Sequence, residues 1–391
     1  MKNFLTLRLA SLLALFPAAA FGEASISGSA SGGVEHSSNV YSVPEDAAVK
    51  ETPDQIIFVT PSLKAALVTR GVDLSADYSL GYYHYQAESD LSRALHRLNA
   101  QAALVWWDNL DLAAEGRLDP RIVSYAQPLN DPANQVQQAA VGGRLVLRRE
   151  FGQSTRGSIG YLGEQVTWLE AHTDDKDRLP PDYLTHGPRL DIERDIGRRL
   201  VVGAEYRFRM QDYDEAADNY PPTGDYSAHT GTARLGLDAT DWLSLSVAYG
   251  FSQIEYTDGD PDNRSATRGL GDARITAGGD VARISASARQ NQTQDILGNP
   301  AVTQSAGLNA DYTPYAPWGL GVGASYGEID YDDSVGTSIA GQAFVLGEAS
   351  AFYKVSVGEL TIAGSHHESI PEGSESKIVV NRASVRLGGR F

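Results

Sequence analysis

The chain has 391 residues and a formal net charge of −18, and it contains no cysteine. The lack of cysteine excludes a disulfide framework and a thiolate metal site, and the acidic charge argues against nucleic-acid binding, which requires a basic patch. With 39 glycines and 19 tyrosines, the composition favours strands joined by turns. The mean hydropathy of −0.29 is compatible with a membrane barrel, because only alternate residues of such strands face lipid.

Residues 1–22 have the pattern of a secretory signal peptide. Lys2 and Arg8 give a positive start, and the apolar stretch Leu9–Phe16 is too short to span a membrane. We expect cleavage near Gly22, so that residues 23–391 form a single domain outside the cytoplasm. An uncleaved anchor helix fits this length less well.

Segments of alternating polar and apolar residues then recur to the end of the chain, and a period of two is typical of β-strands. We predict eighteen strands. In chain order they are Ser25–Tyr41, Gln55–Val68, Val72–Gln86, Ala94–Trp107, Asp111–Ala126, Val136–Phe151, Thr155–Glu170, Tyr183–Asp195, Arg199–Gln211, Tyr226–Ala239, Trp242–Thr257, Ala266–Gly278, Asp280–Gln292, Val302–Tyr312, Gly319–Asp330, Gly341–Lys354, Glu359–Ile370 and Lys377–Phe391.

The connections between these segments alternate in length. Tight turns such as Thr69–Gly71 are followed by longer polar loops such as Ala171–Asp182 and Asp212–Asp225. Bacterial outer-membrane barrels have short periplasmic turns and long external loops in this alternation. We therefore predict an all-β fold: a transmembrane, antiparallel, up-and-down β-barrel of about 18 strands in the bacterial outer membrane. We expect the loops Ala171–Asp182 and Asp212–Asp225 to gate the pore of this barrel.

The last segment, Lys377–Phe391, alternates small or apolar residues with polar ones and ends on an aromatic residue. It resembles the C-terminal signal strand that the barrel-insertion machinery reads in outer-membrane proteins. The resemblance makes Phe391 the membrane-insertion signal. Gly389 departs from the pattern, because that position is usually bulky.

One face of each predicted strand is charged. On the ninth strand Arg207 and Arg209 alternate with Tyr206 and Phe208. An arginine facing lipid at mid-membrane costs about 2–4 kcal/mol, so the charged face must look inward. The resulting lumen-lining candidates are Arg97, Arg117, Arg121, Arg144, Arg148, Glu205, Arg207, Arg209, Arg234, Arg274, Arg283, Arg289, Arg382 and Arg386.

Two roles are open for these arginines. They can pair with inward carboxylates such as Asp191 and Glu193 across neighbouring strands and stiffen the wall. Left unpaired, they would form a ladder that attracts an anionic solute into a water-filled bore. We expect pairing for most single arginines, with some positive surplus over the set.

Aromatic residues near the predicted strand ends indicate membrane-interface girdles. They are Trp106, Trp107, Trp242, Trp318, Tyr82 and Tyr353.

Evidence for catalysis or a bound metal is weak. His366 and His367 are adjacent, so on a strand they point to opposite faces. The acidic stretch Asp258–Asn263 has the alternating oxygens that suit calcium but lacks an EF-hand glutamate, so a solvated loop is expected. We predict a protein that is not an enzyme and that has no cofactor and no metal site.

The start of the mature chain resembles a known family. The segments "SSNVY", "VTPSL" and "LSADYSLGYY" are similar to the outer-membrane β-barrel porin family found beside exopolysaccharide and capsule synthesis genes. The resemblance implies an outer-membrane channel for secreted polysaccharide that works with periplasmic polysaccharide export proteins.

We therefore expect an outer-membrane channel that exports a secreted, anionic exopolysaccharide. The alternatives are a general diffusion porin for small solutes, or a barrel adhesin or lipid-modifying enzyme. The expected partners are the polysaccharide, outer-membrane lipid and lipopolysaccharide, the insertion machinery and the periplasmic export proteins, but no nucleic acid.

Overall fold

The computed structural model describes residues 23–40, 51–107, 110–124, 135–171, 182–214, 225–257, 265–294, 300–314, 317–331, 341–356, 358–371 and 377–390. The predicted signal peptide, the acidic stretch Asp258–Asn263 and Phe391 lie outside these ranges, as does most of both predicted gating loops. Within them, no helix combines the length and the apolar character needed to cross a membrane.

The described residues form eighteen strands. They are β1 (Glu23–Ser37), β2 (Asp54–Val68), β3 (Val72–Tyr85), β4 (Arg93–Trp107), β5 (Leu110–Ser124), β6 (Gln135–Phe151), β7 (Thr155–Ala171), β8 (Tyr183–Ile196), β9 (Leu200–Tyr213), β10 (Tyr226–Thr240), β11 (Leu243–Tyr256), β12 (Ser265–Gly278), β13 (Ala282–Gln294), β14 (Pro300–Tyr312), β15 (Trp318–Tyr331), β16 (Gln342–Val355), β17 (Gly358–Pro371) and β18 (Ile378–Arg390).

Each strand pairs antiparallel with its neighbours in sequence, and β1 also pairs with β18. At this seam Val34 lies opposite Val385 and Glu35 opposite Ser384. The sheet is therefore closed on itself and leaves no unpaired edge, which would otherwise template pairing with another chain. The predicted 18-stranded antiparallel barrel is confirmed.

Tight turns join the strands at one end of the barrel. Gly152 and Gly197 have φ angles of 71° and 70° in the β6–β7 and β8–β9 turns, a left-handed conformation that glycine adopts without steric cost. By the rule for outer-membrane barrels this end is periplasmic and the end with the longer connections is external.

The first strand is shorter than predicted, since it ends at Ser37 and not at Tyr41. Beyond it the amide of Ser38 donates to the carbonyl of Asn381, and the hydroxyl of Ser38 accepts from the amide of that residue. These bonds join the end of β1 to β18 at the external rim.

The two faces of the wall differ in polarity. Along β11 and β15 the exposed large hydrophobic residues, Val247, Tyr249, Leu320 and Val322, all lie on one face. The opposite face carries the charged residues of the neighbouring strands. Because charge is costly in lipid, we place the apolar face on the exterior and the charged face around the bore.

Buried apolar clusters lie on the bore side of the wall, near the external strand ends. The three clusters are Val40, Ile56, Tyr85 and Leu91; Ala140, Val166, Trp168 and Tyr183; and Tyr226, Ala228, Ile254 and Tyr256. The densest packing of the barrel is therefore at its external mouth, where side chains fill part of the bore.

Candidate functional site

The charged face is most densely occupied on β8, β9 and β10. Arg189 donates to one carboxylate oxygen of Glu205 at 2.7 Å, and Arg207 donates to the other oxygen at 3.0 Å. On the next strand Arg234 donates to Asp191 at 2.6 Å. The strand register explains these contacts, because Glu205 lies opposite Asp191 and Arg207 opposite Arg189. A single carboxylate thus holds two guanidinium groups against the wall.

A second set of ion pairs continues this network towards β4. The pairs are Arg97 with Asp119 at 3.1 Å, Arg144 with Glu115 at 2.8 Å, Arg117 with Glu164, and Arg156 with Glu193 at 2.7 Å and Asp195 at 3.0 Å. Their side chains are partly exposed, so each pair contributes only about 0–1 kcal/mol. Their effect is to fix the positions of charge along the bore.

The structure divides the arginines proposed from the sequence into three groups. Those in ion pairs with carboxylates are Arg97, Arg117, Arg144, Arg207, Arg234, Arg289 and Arg382. Those without an ion pair to any described residue are Arg148, Arg209, Arg274, Arg283 and Arg386. Of these, Arg386 lies 5.2 Å from the ring centre of Phe58. The side chain of Arg121 lies outside the described part of the chain.

A recess of about 180 Å³ opens in the wall between β6 and β10. Its charged lining consists of Arg144, Arg148, Arg189 and Arg234 with a single carboxylate, Asp191. We call this the arginine recess. The Nε atom of Arg234 is buried against Gly203 and has no hydrogen-bond partner among the described residues. Three of these arginines are paired with carboxylates, Arg144 with Glu115, Arg189 with Glu205 and Arg234 with Asp191. Arg148 is the arginine of the recess that forms no ion pair with a described residue.

A second recess, of about 220 Å³, lies between β12 and β16. Most of its lining is small and neutral, and includes Ser287, Ser305, Gly307 and Asn309. Hydroxyl and amide groups there donate and accept hydrogen bonds but carry no charge. Three charged side chains, those of Arg274, Arg289 and Glu348, also line this recess.

Sequence reasoning missed Arg189 and Arg156. Arg189 contributes to the arginine recess and shares Glu205 with Arg207. Both missed residues lie on the strand face opposite to apolar residues, Leu190 on β8 and Ile159 on β7, so the same period-two argument would have identified them. Their carboxylate partners depend on the register between strands, which a single sequence does not reveal.

The remaining sequence predictions concern the rims. Trp242, Trp318 and Tyr353 lie at the turn end of the barrel, where Trp318 packs on Tyr312 at 5.5 Å, and Tyr82 lies towards the external end. The side chains of Trp106 and Trp107 fall outside the described part of the chain.

The adjacent histidines point to opposite faces, as expected. His366 lies 2.7 Å from the Oδ1 atom of Asn381, whereas His367 lies opposite Leu346 on the bore face. Among the described residues no group of three or more histidine, aspartate or glutamate side chains could hold a metal ion.

Known proteins resemble this chain in fold. No protein-family model matches the sequence, and no curated protein matches it. The solved structure of Acinetobacter baumannii OccAB4 matches with a TM-score of 0.52 and 12% identity, covering 94% of this chain and 98% of that one. Pseudomonas aeruginosa OccK2 (OpdF) matches with a TM-score of 0.52 and 11% identity over the same shares.

A third match is the FrpB iron transporter of Neisseria meningitidis, with a TM-score of 0.52 and 9% identity, covering 89% of this chain and 62% of that one. At such identities the likeness shows the fold. Together with the apolar exterior, it defines a porin-like barrel of the bacterial outer membrane. The expected association with exopolysaccharide export receives no support from these matches.

Proposed function

We propose that the protein is a passive outer-membrane channel for small anionic solutes. This is the diffusion-porin alternative considered from the sequence, and the matches to OccAB4 and OccK2 favour it over polysaccharide export. The observation that carries the proposal is the arginine recess, in which Arg148 has no ion-pair partner among the described residues and the other three arginines are held in place by carboxylates.

The arrangement within the recess favours transient anion binding. Arg148 has no carboxylate partner among the described residues, whereas the other three arginines of the recess are held by carboxylates. An entering carboxylate would therefore gain charge-assisted hydrogen bonds without first breaking an ion pair. The site faces a water-filled bore, so binding stays weak enough for the solute to leave again, as conduction requires.

The side chains at the external mouth limit the size of a solute that can pass. The three buried clusters place side chains such as Trp168, Tyr183 and Tyr226 on the bore side of the wall. A small hydrated molecule passes such a mouth more easily than a polymer does. The structurally similar OccK2 has been solved in complex with glucuronate, so a uronic acid is a reasonable probe for this chain.

A liposome-swelling experiment tests this function. Vesicles that contain the purified barrel would be placed in isotonic glucuronate, in isotonic glucose, or in uronic-acid oligomers of increasing length. We expect glucuronate to enter faster than glucose, and entry to fall off steeply beyond a few sugar units. Equal rates for the two monomers would contradict anion selection, and undiminished entry of long oligomers would restore polysaccharide export as the better function.

A further inference from the structure

The exterior face carries a repeated tyrosine–histidine pair that has no role in the proposed channel. In each pair a tyrosine hydroxyl lies within hydrogen-bond distance of the Nδ1 atom of a histidine on the next strand. The pairs are Tyr78 with His96 at 2.7 Å, Tyr161 with His186 at 2.6 Å and Tyr206 with His229 at 2.7 Å. They join β3 to β4, β7 to β8 and β9 to β10, which are all hairpins closed by an external loop.

All three pairs have the same height and orientation. In the β9–β10 hairpin, Tyr206 lies opposite Gly231 and His229 lies opposite Phe208, so the histidine is the member nearer the external end. His229 is the fourth residue of β10, which places it roughly 10 Å along the strand from the rim. His96 on β4 and His186 on β8 are also the fourth residues of their strands.

This level is the boundary between the apolar belt and the external loops. Below it on the same face lie residues such as Val202 and Leu235, and above it lie the polar connections. Tyrosine favours such boundaries because its ring is apolar and its hydroxyl needs a polar partner. The imidazoles therefore stand at the depth of the lipid headgroups of the outer leaflet.

The Nε2 atoms of the three imidazoles differ in their hydrogen-bond partners. The Nε2 atom of His186 lies 3.2 Å from Asp212. The Nε2 atoms of His96 and His229 have no hydrogen-bond partner among the described residues. When the tyrosine hydroxyl donates to Nδ1, the ring proton is on Nε2, which then becomes a donor facing the membrane.

The neighbours of His229 leave this donor available. On one side its ring packs on Phe208, with the ring centres 4.7 Å apart. On the other side it lies opposite Gln253, whose amide nitrogen donates to Glu255 at 3.0 Å. The carboxylate nearest along β11 is therefore already bonded to Gln253.

We propose that His96 and His229 are headgroup ligands that donate Nε2–H to the phosphate of a phosphorylated glycolipid in the outer leaflet. Tyr78 and Tyr206 act as positioning residues that hold each ring by its Nδ1 atom. The occupant is a lipid because the face below is apolar and exterior, and a phosphate is the headgroup acceptor that forms the strongest hydrogen bond with the free donor. The proposal is independent of the function proposed for the bore.

Native mass spectrometry of the purified full-length barrel in detergent tests the proposed binding of a phosphorylated lipid. The protein is titrated with bisphosphorylated lipid A and with the same lipid after its phosphates have been removed. We expect the wild-type barrel to retain the phosphorylated lipid about tenfold more strongly, since a hydrogen bond to a charged group is lost without the phosphate. Equal retention of the two lipids overturns the proposal, as would displacement of lipid by a second copy of the chain.

Variants assign the effect to these residues. The double variant H96F/H229F keeps the ring shape and should lose the preference, whereas H186F, whose outer nitrogen is already occupied by Asp212, should keep it. The variant Y78F/Y206F retains both imidazoles and should lose part of the preference. The proposal is wrong if H96F/H229F behaves like the wild type, or if H186F loses as much as the double variant. Heat-dependent gel mobility checks that each barrel is folded.

Discussion

Two parts of the same barrel wall face the bore with different chemistry. From β4 to β10 most of the charged residues on the bore face take part in ion pairs, among them Arg189, Glu205 and Arg234. From β13 to β16 the same face carries small residues such as Ser287, Gly307 and Ser325. We call the first part the arginine wall and the second the glycine–serine wall.

The comparison shows that ion pairs cover most, but not all, of the arginines of the arginine wall. Carboxylates such as Glu205 and Asp191 neutralise and orient the arginines of the arginine wall, yet Arg148 remains without such a partner and Arg234 keeps a free nitrogen. Paired arginines, which fit the stiffening role considered from the sequence, and unpaired ones such as Arg148, on which the proposed anion attraction depends, therefore lie on one wall. The glycine–serine wall supplies space and neutral hydrogen-bonding groups.

The largest expected effect comes from reversing a charge in the arginine recess. Arg148→Glu changes two unit charges beside a passing anion, each worth about 0.8 kcal/mol at ~5 Å in water. We expect the anion-to-cation permeability ratio to fall about tenfold after salt screening. The ratio is measured as the zero-current potential of single channels in a salt gradient.

The matched control is Arg283→Glu, which makes the same change on β13, outside the arginine recess. It should shift the ratio much less. If the two variants shift it equally, only total bore charge matters and the recess is not a site.

A smaller effect is expected from removing a shared carboxylate. Glu205→Gln leaves Arg189 and Arg207 without their common partner, so anion preference should rise about threefold while the free energy of unfolding falls by about 1–2 kcal/mol. Anion preference is measured from the zero-current potential of single channels in a salt gradient. Stability is measured from the midpoint of urea unfolding in detergent.

Glu348→Gln is the control on the glycine–serine wall, where Glu348 forms no ion pair with a described residue. It should leave the unfolding midpoint within error of the wild type. An equal loss of stability in both variants would show that the ion-pair network contributes nothing specific.

The smallest expected effect is steric. A Cβ atom on Gly203 would lie 2.7 Å from the Nε atom of Arg234, so Gly203→Ala should push this side chain away from its position beside Asp191. A Cβ on Gly307 would meet Ser325 at an ordinary 3.4 Å. We expect about a twofold loss of anion preference for Gly203→Ala and none for Gly307→Ala. Identical conductance and selectivity in both variants would mean that the exact position of Arg234 is unimportant.

Much of the fold was predictable because it depends on local pattern. Alternation along strands such as Leu200–Tyr213 and the alternation of turn and loop lengths suffice for an 18-stranded barrel and for its charged face. The end of β1 was misplaced because the chain bends at Ser38 and Val40 packs into the cluster with Ile56, Tyr85 and Leu91, contacts that no local pattern contains.

The site was less predictable because it depends on register. Arg234 meets Asp191 only because β8, β9 and β10 align in one particular way, and no local pattern contains that information. The same holds for the diagonal contact of Tyr206 with His229 on the exterior. The family resemblance in the first hundred residues led towards polysaccharide export, whereas the arginine recess was visible only in three dimensions.

The central claim is that the charged face surrounds an open aqueous bore while the other face meets lipid. The chain lacks cysteine, so single cysteines at Leu245, Ser246, Val247 and Ala248 of β11 can be probed without background. In reconstituted membranes we predict that a small water-soluble maleimide labels the variants at Ser246 and Ala248 but not those at Leu245 and Val247. Labelling of Leu245 and Val247 instead, or equal labelling of all four, would contradict the account.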